Sequence, residues 1–251
     1  MPVVALIIEA IVGGMLATVA LAARTLLLRW RSGVVRMSKA IPVNAKWWHE
    51  QESHDGELLY VAVGDSAAQG IGASHPGQSY VGMLAAHLRA RMSQPVRVIN
   101  LSQSGARVRE ALAHQLPGLA KLQPDVVTVS IGANDIAAFE PVRFERELRA
   151  LYSALPSHTI VADLPSFYLG RAERNVLVAN AIVRRIAAEC GLEVAPLHAV
   201  TRRQGAPRYA LRQAATDFFH PNDRGYRVWA SAFLPLLDRQ VPATSSTVNA
   251  D

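Results

Sequence analysis

The chain has 251 residues, of which 50% are hydrophobic and 18% charged. That excludes an intrinsically disordered protein, which needs low hydrophobicity and high charge. The single cysteine, Cys190, excludes a disulfide-stapled mini-protein, since one cysteine forms no internal bridge. The formal net charge of +6 is concentrated near the start of the chain. Residues 1–49 carry Arg24, Arg29, Arg31, Arg36, Lys39 and Lys46 against Glu9, whereas the remainder balances 20 basic against 19 acidic groups. The excess therefore reads as juxtamembrane or linker charge, and no basic groove for nucleic acid is expected on the folded domain.

Residues Val3 to Leu28 are nearly all apolar, and Pro2–Ala23 is a 22-residue run with one carboxylate, Glu9. A spanning helix needs about 20 such residues, and a carboxylate close to the interface is tolerated at modest cost. No Lys or Arg precedes the run, which argues against a cleaved signal peptide. Residues 1–31 are thus expected to form a hydrophobic membrane-anchor helix. A cleaved signal and a helix packed on the domain are the alternatives. The basic residues follow the run, so the positive-inside rule places the rest of the chain on the cytoplasmic side. Residues 32–56 read as a linker, with the pair Trp47-Trp48 packing it against the domain.

From Leu58 onward short β-branched runs alternate with helical stretches. Strands are expected at Leu58–Val63, Val96–Leu101, Val126–Ile131, Thr159–Leu164 and Leu192–Leu197. Helices are expected at Ser79–Arg91, Val108–Leu122 (interrupted near Pro117), Phe144–Leu155, Glu173–Glu189 and Asn222–Leu237. Strands apolar on both faces and separated by helices imply an α/β domain with a parallel sheet covered on both sides, here residues 57–240. The Ser/Thr-rich tail, residues 241–251, is expected to be disordered.

Ligands of such sheets bind beyond the C-terminal strand ends. Polar clusters follow three of these strands: Gly64-Asp65-Ser66, Ser102-Gln103-Ser104-Gly105 and Gly132-Ala133-Asn134-Asp135. A fourth, Asp217-Phe218-Phe219-His220-Pro221, precedes the last helix. A serine nucleophile needs a base, and the base needs an orienting group. Ser66 sits at a strand-to-helix turn, His220 is the candidate base, and Asp217 lies three residues away from it. Acyl transfer also needs donors for an oxyanion. Gly105 N–H, the Asn134 amide and Ser66 N–H are the candidates. Each cluster alone is an ordinary turn or cap; their joint occurrence in order is the signal.

These four blocks resemble the SGNH (GDSL-type) hydrolase superfamily over roughly residues 57–238. The resemblance implies a flavodoxin-like three-layer α/β/α sandwich with a five-stranded parallel sheet in the order 2-1-3-4-5. It implies Ser66 as nucleophile, His220 as base and Asp217 as orienting acid, with Ser66, Gly105 and Asn134 forming the oxyanion hole. It implies no metal and no organic cofactor. The expected activity is hydrolysis of small-molecule or lipid acyl esters through an acyl-enzyme. An acyltransferase or carbohydrate deacetylase, or a catalytically silent binding module, are the alternatives. Arg107, two residues after Gly105, is a candidate for contact with an anionic substrate. The remaining histidines show no metal-ligand spacing.

Overall fold

The computed structural model describes residues 2–92 and 94–241, and the side chains among them from residue 14 on, except those of 16 and 17. The first element is one long helix, α1 (Pro2–Glu52). After it come β1 (Leu58–Gly64), α2 (Ser66–Gln69), α3 (Tyr80–Arg91) and β2 (Val96–Asn100). Next are α4 (Val108–Glu110), a π-helical turn at Ala111–Gln115, α5 (Leu116–Leu119), β3 (Val126–Ser130) and a 3₁₀ turn at Ala133–Ala138. The chain continues through α6 (Pro141–Tyr152), β4 (Thr159–Ala162), α7 (Gly170–Glu189), β5 (Glu193–Ala195), α8 (Leu197–Arg202), α9 (Ala206–Arg208), a second π-helical turn at Tyr209–Gln213, and α10 (Asp223–Gln240). The tail from Pro242 onward lies outside the described residues.

All five strands are parallel and lie in the order β2-β1-β3-β4-β5. The sheet alternates sides residue by residue, as strand geometry requires. Tyr60 and Ala62 join the apolar layer with Tyr80, Leu84, Trp229 and Phe233. Val61 and Val63 face the opposite layer, with Phe144, Leu148, Val183 and Ile186. Both faces are covered, which is why the strands read as continuous apolar runs rather than alternating ones. The expected three-layer α/β architecture and strand order are those observed.

The N-terminal region differs from the sequence reading in two ways. First, residues 32–52, read as linker, continue α1 as helix in spite of Pro42. Gly33, Asn44 and Trp48 are buried and Met37, Ala40 and Trp47 half-buried, so one stripe at helical spacing lies on the domain. Trp48 is 3% exposed and joins the core layer of α3 and α10. Second, among the described residues no helix is long and apolar enough to cross a membrane. The expected anchor over Pro2–Ala23 falls for the greater part on side chains outside the described residues, so the anchor and the cytoplasmic placement that rests on it stand without support.

Trp48→Ala is expected to destabilise the protein by about 3–5 kcal/mol, the usual cost of removing a buried Trp. Urea unfolding measures it. A loss below about 1 kcal/mol would mean that α1 does not share the domain core.

Candidate active site

β1 ends at Gly64, and α2 begins two residues later. Asp65 caps α2 by accepting from Ala67 N–H at 2.9 Å. This places Ser66 at the first helical position, beyond the C-terminal edge of β1, which lies between β2 and β3. Burial pushes the Asp65 carboxyl up to about 6, against the opposing Ala67 N–H bond and the positive field of His220.

The loop before α10 brings the other groups to Ser66 from 151 or more residues away in sequence. His220 Nε2 lies 2.9 Å from Ser66 Oγ. His220 Nδ1 lies 2.6 Å from Asp217 Oδ2. The other Asp217 oxygen accepts from Phe219 N–H and His220 N–H, each at 3.1 Å. Four residues are thereby wound into a tight turn, at the cost of a positive φ of 58° at Phe218. That conformation is uncommon for a bulky residue and persists only where its surroundings hold it. Burial alone would raise the Asp217 carboxyl, but the hydrogen bond and charge of His220, with the two backbone donors, hold it below the usual carboxylate range.

Asn134 starts the turn after β3. Its amide donates to Ala106 O at 2.9 Å, and its second approach, to Asp65 Oδ2, is long at 3.4 Å. An amide has two hydrogens, and the one facing Asp65 is only weakly held. Ser66 N–H and Gly105 N–H have no hydrogen-bond acceptor among the described residues. Gly105 takes a φ of +80°, which turns the chain after β2.

Ser66, Asn134 and His220 line one pocket of about 570 Å³ whose other walls include Ile136, Phe167 and Tyr209. Gly105 is not in that wall, but its neighbours tie it there. Ser104 Oγ donates to Gln69 Oε1 at 2.7 Å, and Ala106 O receives Asn134. Arg107 is not in the wall either. It precedes α4, with its N–H bonded to Glu110 at 3.0 Å. Asp135, a cap residue by sequence, accepts from Val108 N–H at 3.1 Å, and burial pushes its carboxyl up to about 6. Among the described residues no group of three or more His, Cys, Asp or Glu could hold a metal ion.

Sequence reasoning missed a hub behind Ser66. Gln69, the last residue of α2, accepts at its carbonyl from Asn44 Nδ2 at 3.0 Å and from Trp48 Nε1 at 3.1 Å, both on α1. Its side chain donates to Ser102 O at 2.9 Å and receives Ser104. α1 is therefore bonded through Gln69 to the Ser66 turn and to the Gly105 loop. It also meets the loop that carries Asp217 and His220. A Cβ on Gly33 would sit 2.3 Å from Thr216 O and 2.8 Å from Asp217 N, so helix and loop touch backbone to backbone. The signal available in the sequence was the spacing Gly33, Met37, Ala40, Asn44, Trp48. Its small and polar members do not read as an apolar stripe.

Comparison with known proteins bears on the family and the fold. The model of the GDSL-like Lipase/Acylhydrolase family matches residues 62–228. No curated protein matches the chain. Among solved structures, LAE5, an alpha/beta hydrolase enzyme from the metagenome of Lake Arreo, is 26% identical, with a TM-score of 0.60 over 76% of this chain and 99% of that one. The acetylxylan esterase Axe2 from Geobacillus stearothermophilus is 23% identical, with a TM-score of 0.59 over 72% of this chain and 94% of that one. A lipase/acylhydrolase from Enterococcus faecalis is 20% identical, with a TM-score of 0.60 over 75% of this chain and all of that one. The last two are likenesses of fold. On the extent of the family match, together with the strand order and the blocks that end the strands, the chain belongs to the GDSL-like lipase/acylhydrolase family and is a carboxylic ester hydrolase.

Proposed function

We propose that the protein hydrolyses acyl esters through a Ser66–His220–Asp217 triad and an acyl-enzyme at Ser66. The observation that carries this reading is the unbroken hydrogen-bonded chain from Asp217 through His220 to Ser66, opening into an apolar pocket. His220 Nε2 takes the Ser66 proton as Oγ bonds to the ester carbonyl carbon, and the carbonyl π pair moves onto oxygen. Ser66 N–H, Gly105 N–H and the Asn134 amide hydrogen that is only weakly held by Asp65 take up that oxyanion. Collapse breaks the bond to the alcohol, which leaves with the proton from His220. Water then repeats the sequence, activated by the same His220, and releases the acid. Asp217 stays ionised throughout, which its lowered pKa favours, and holds the imidazole in the required tautomer.

The apolar walls suit an acyl chain better than a sugar ring, so lipid-like esters are favoured. The test uses the full chain with p-nitrophenyl esters from acetyl to palmitoyl, together with a fluorophosphonate that labels activated serines. Turnover with label on Ser66 is expected, best with chains longer than acetyl. Folded protein that neither labels at Ser66 nor turns over any ester would overturn the proposal. An acetyl optimum would favour carbohydrate deacetylation instead.

Asn134→Ala is expected to lower kcat by about 10²–10³-fold with little change in KM, the range for removing one oxyanion donor. A fall of less than threefold would remove Asn134 from that role.

A further inference from the structure

A second concavity adjoins the Ser66 pocket on the other side of the Asp217–His220 turn. Its volume is about 980 Å³, and Phe218 and Ala210 belong to the walls of both. Five arginines line it: Arg29 and Arg36 from α1, Arg212 from the π-helical turn before the loop, and Arg224 and Arg227 from the first turns of α10. This corrects the expectation that the N-terminal charge stays off the domain. Gly33 lets α1 lie against Thr216, and that contact carries Arg29 and Arg36 into the same cleft as the three C-terminal arginines.

Most of this charge is uncompensated. Elsewhere arginines meet carboxylates: Arg149 and Arg185 with Glu145 and Glu189, Arg184 with Asp163, Arg239 with Glu193. None of the five cleft arginines has a salt bridge among the described residues. The cleft's one carboxylate, Asp223, is occupied by Ser74, whose N–H and Oγ each reach it at 2.7 Å. Guanidinium groups match phosphate oxygens in geometry as well as charge, and a concave wall of one sign concentrates its counter-ion.

We propose that this cleft is a binding site for the phosphate-bearing alcohol part of an ester whose acyl chain enters the Ser66 pocket past Phe218. This rests on the esterase reading and adds to it a substrate class, an anionic amphiphilic ester. An isolated phosphate would use only part of the cleft, whereas a phosphate on an amphiphile reaches both walls of Phe218.

The test is equilibrium binding to the full chain at low ionic strength, below micelle formation. The probes are 1-O-decylglycerol 3-phosphate, which has an ether in place of the ester, neutral 1-O-decylglycerol, and glycerol 3-phosphate. The phosphate lipid is expected to bind at least tenfold tighter than the neutral one, with a preference that shrinks as salt rises. Arg212→Gln with Arg227→Gln is expected to cut that preference to threefold or less. So is Arg29→Gln with Arg36→Gln, which alters the other wall and serves if the first pair misfolds. Lys121→Gln with Arg146→Gln, an equal charge loss outside the cleft, is expected to keep it. Equal affinity for the two lipids, no binding of either, or a preference that survives both cleft pairs overturns the proposal. Glycerol 3-phosphate binding as tightly as the phosphate lipid overturns the amphiphile and assigns the cleft to a soluble phosphate. Absence of fluorophosphonate label on the unaltered chain would strike the esterase reading and leave the binding result standing.

Discussion

Ser66→Ala is expected to reduce ester turnover to background, a fall on the order of 10⁶-fold, with the fold unchanged. The side chain lost is small, and what it gives up is one hydrogen bond to His220 at 2.9 Å. The Asp65 cap on Ala67 N–H and the two α1 donors on Gln69 do not involve it. Urea midpoints within about 1 kcal/mol of wild type are therefore expected. Wild-type-like turnover in the variant would show that another group supplies the nucleophile. Loss of turnover accompanied by unfolding would leave the chemistry to be read from the fluorophosphonate label on the unaltered chain.

Asp217→Asn is expected to lower kcat by about 10⁴-fold, because an amide facing His220 Nδ1 favours the wrong imidazole tautomer and no longer stabilises the imidazolium. KM should change little, since the carboxylate is not in the wall of the Ser66 pocket. The same substitution has a pH signature. The folded-state pKa of Asp217 lies below its ordinary value. Its contribution to stability is thus fully present above the unfolded value of about 3.9 and is lost as pH falls through the lower folded value. The stability gap between wild type and Asp217→Asn is expected to narrow when unfolding is measured at pH 3 instead of pH 7. A kcat within tenfold of wild type would remove Asp217 from the orienting role, and a gap constant with pH would contradict its lowered pKa.

Much of the domain was legible because burial on both faces leaves a local mark. Each strand coincides with the run of β-branched and apolar residues that announced it: β1 runs one residue further, to Gly64, the other four end one or two residues earlier, and β5 also starts one residue later. The helix around Pro117 was expected to be interrupted, and it is divided by a π-helical turn. The segment from Leu197 to Gln213 went unread. Its short helices α8 and α9 and the following π-helical turn mix arginines with single apolar residues, and three turns are too few for a period to emerge. Residues 32–52 were read as linker because Pro42 and scattered charge look like a break. Pro42 costs the helix a donor, and packing of Asn44 and Trp48 on the domain offsets it.

The sequence by itself determined the alternating α/β order, the polar clusters that follow three of the strands and precede the last helix, and the family they resemble. Those are local properties, set by side-chain period and turn chemistry within a few residues. Only the tertiary structure decided that α1 is part of the framework of the candidate site. Asn44 and Trp48 are 25 and 21 residues from Gln69, and Gly33 lies far along the chain from Thr216. It alone brought Arg29 and Arg36 beside Arg212, Arg224 and Arg227, turning a charge excess that is spread along the N-terminus into one cleft. Period tells which face of a helix is buried. Which backbone it meets depends on contacts between segments distant in sequence, and no local pattern carries that information.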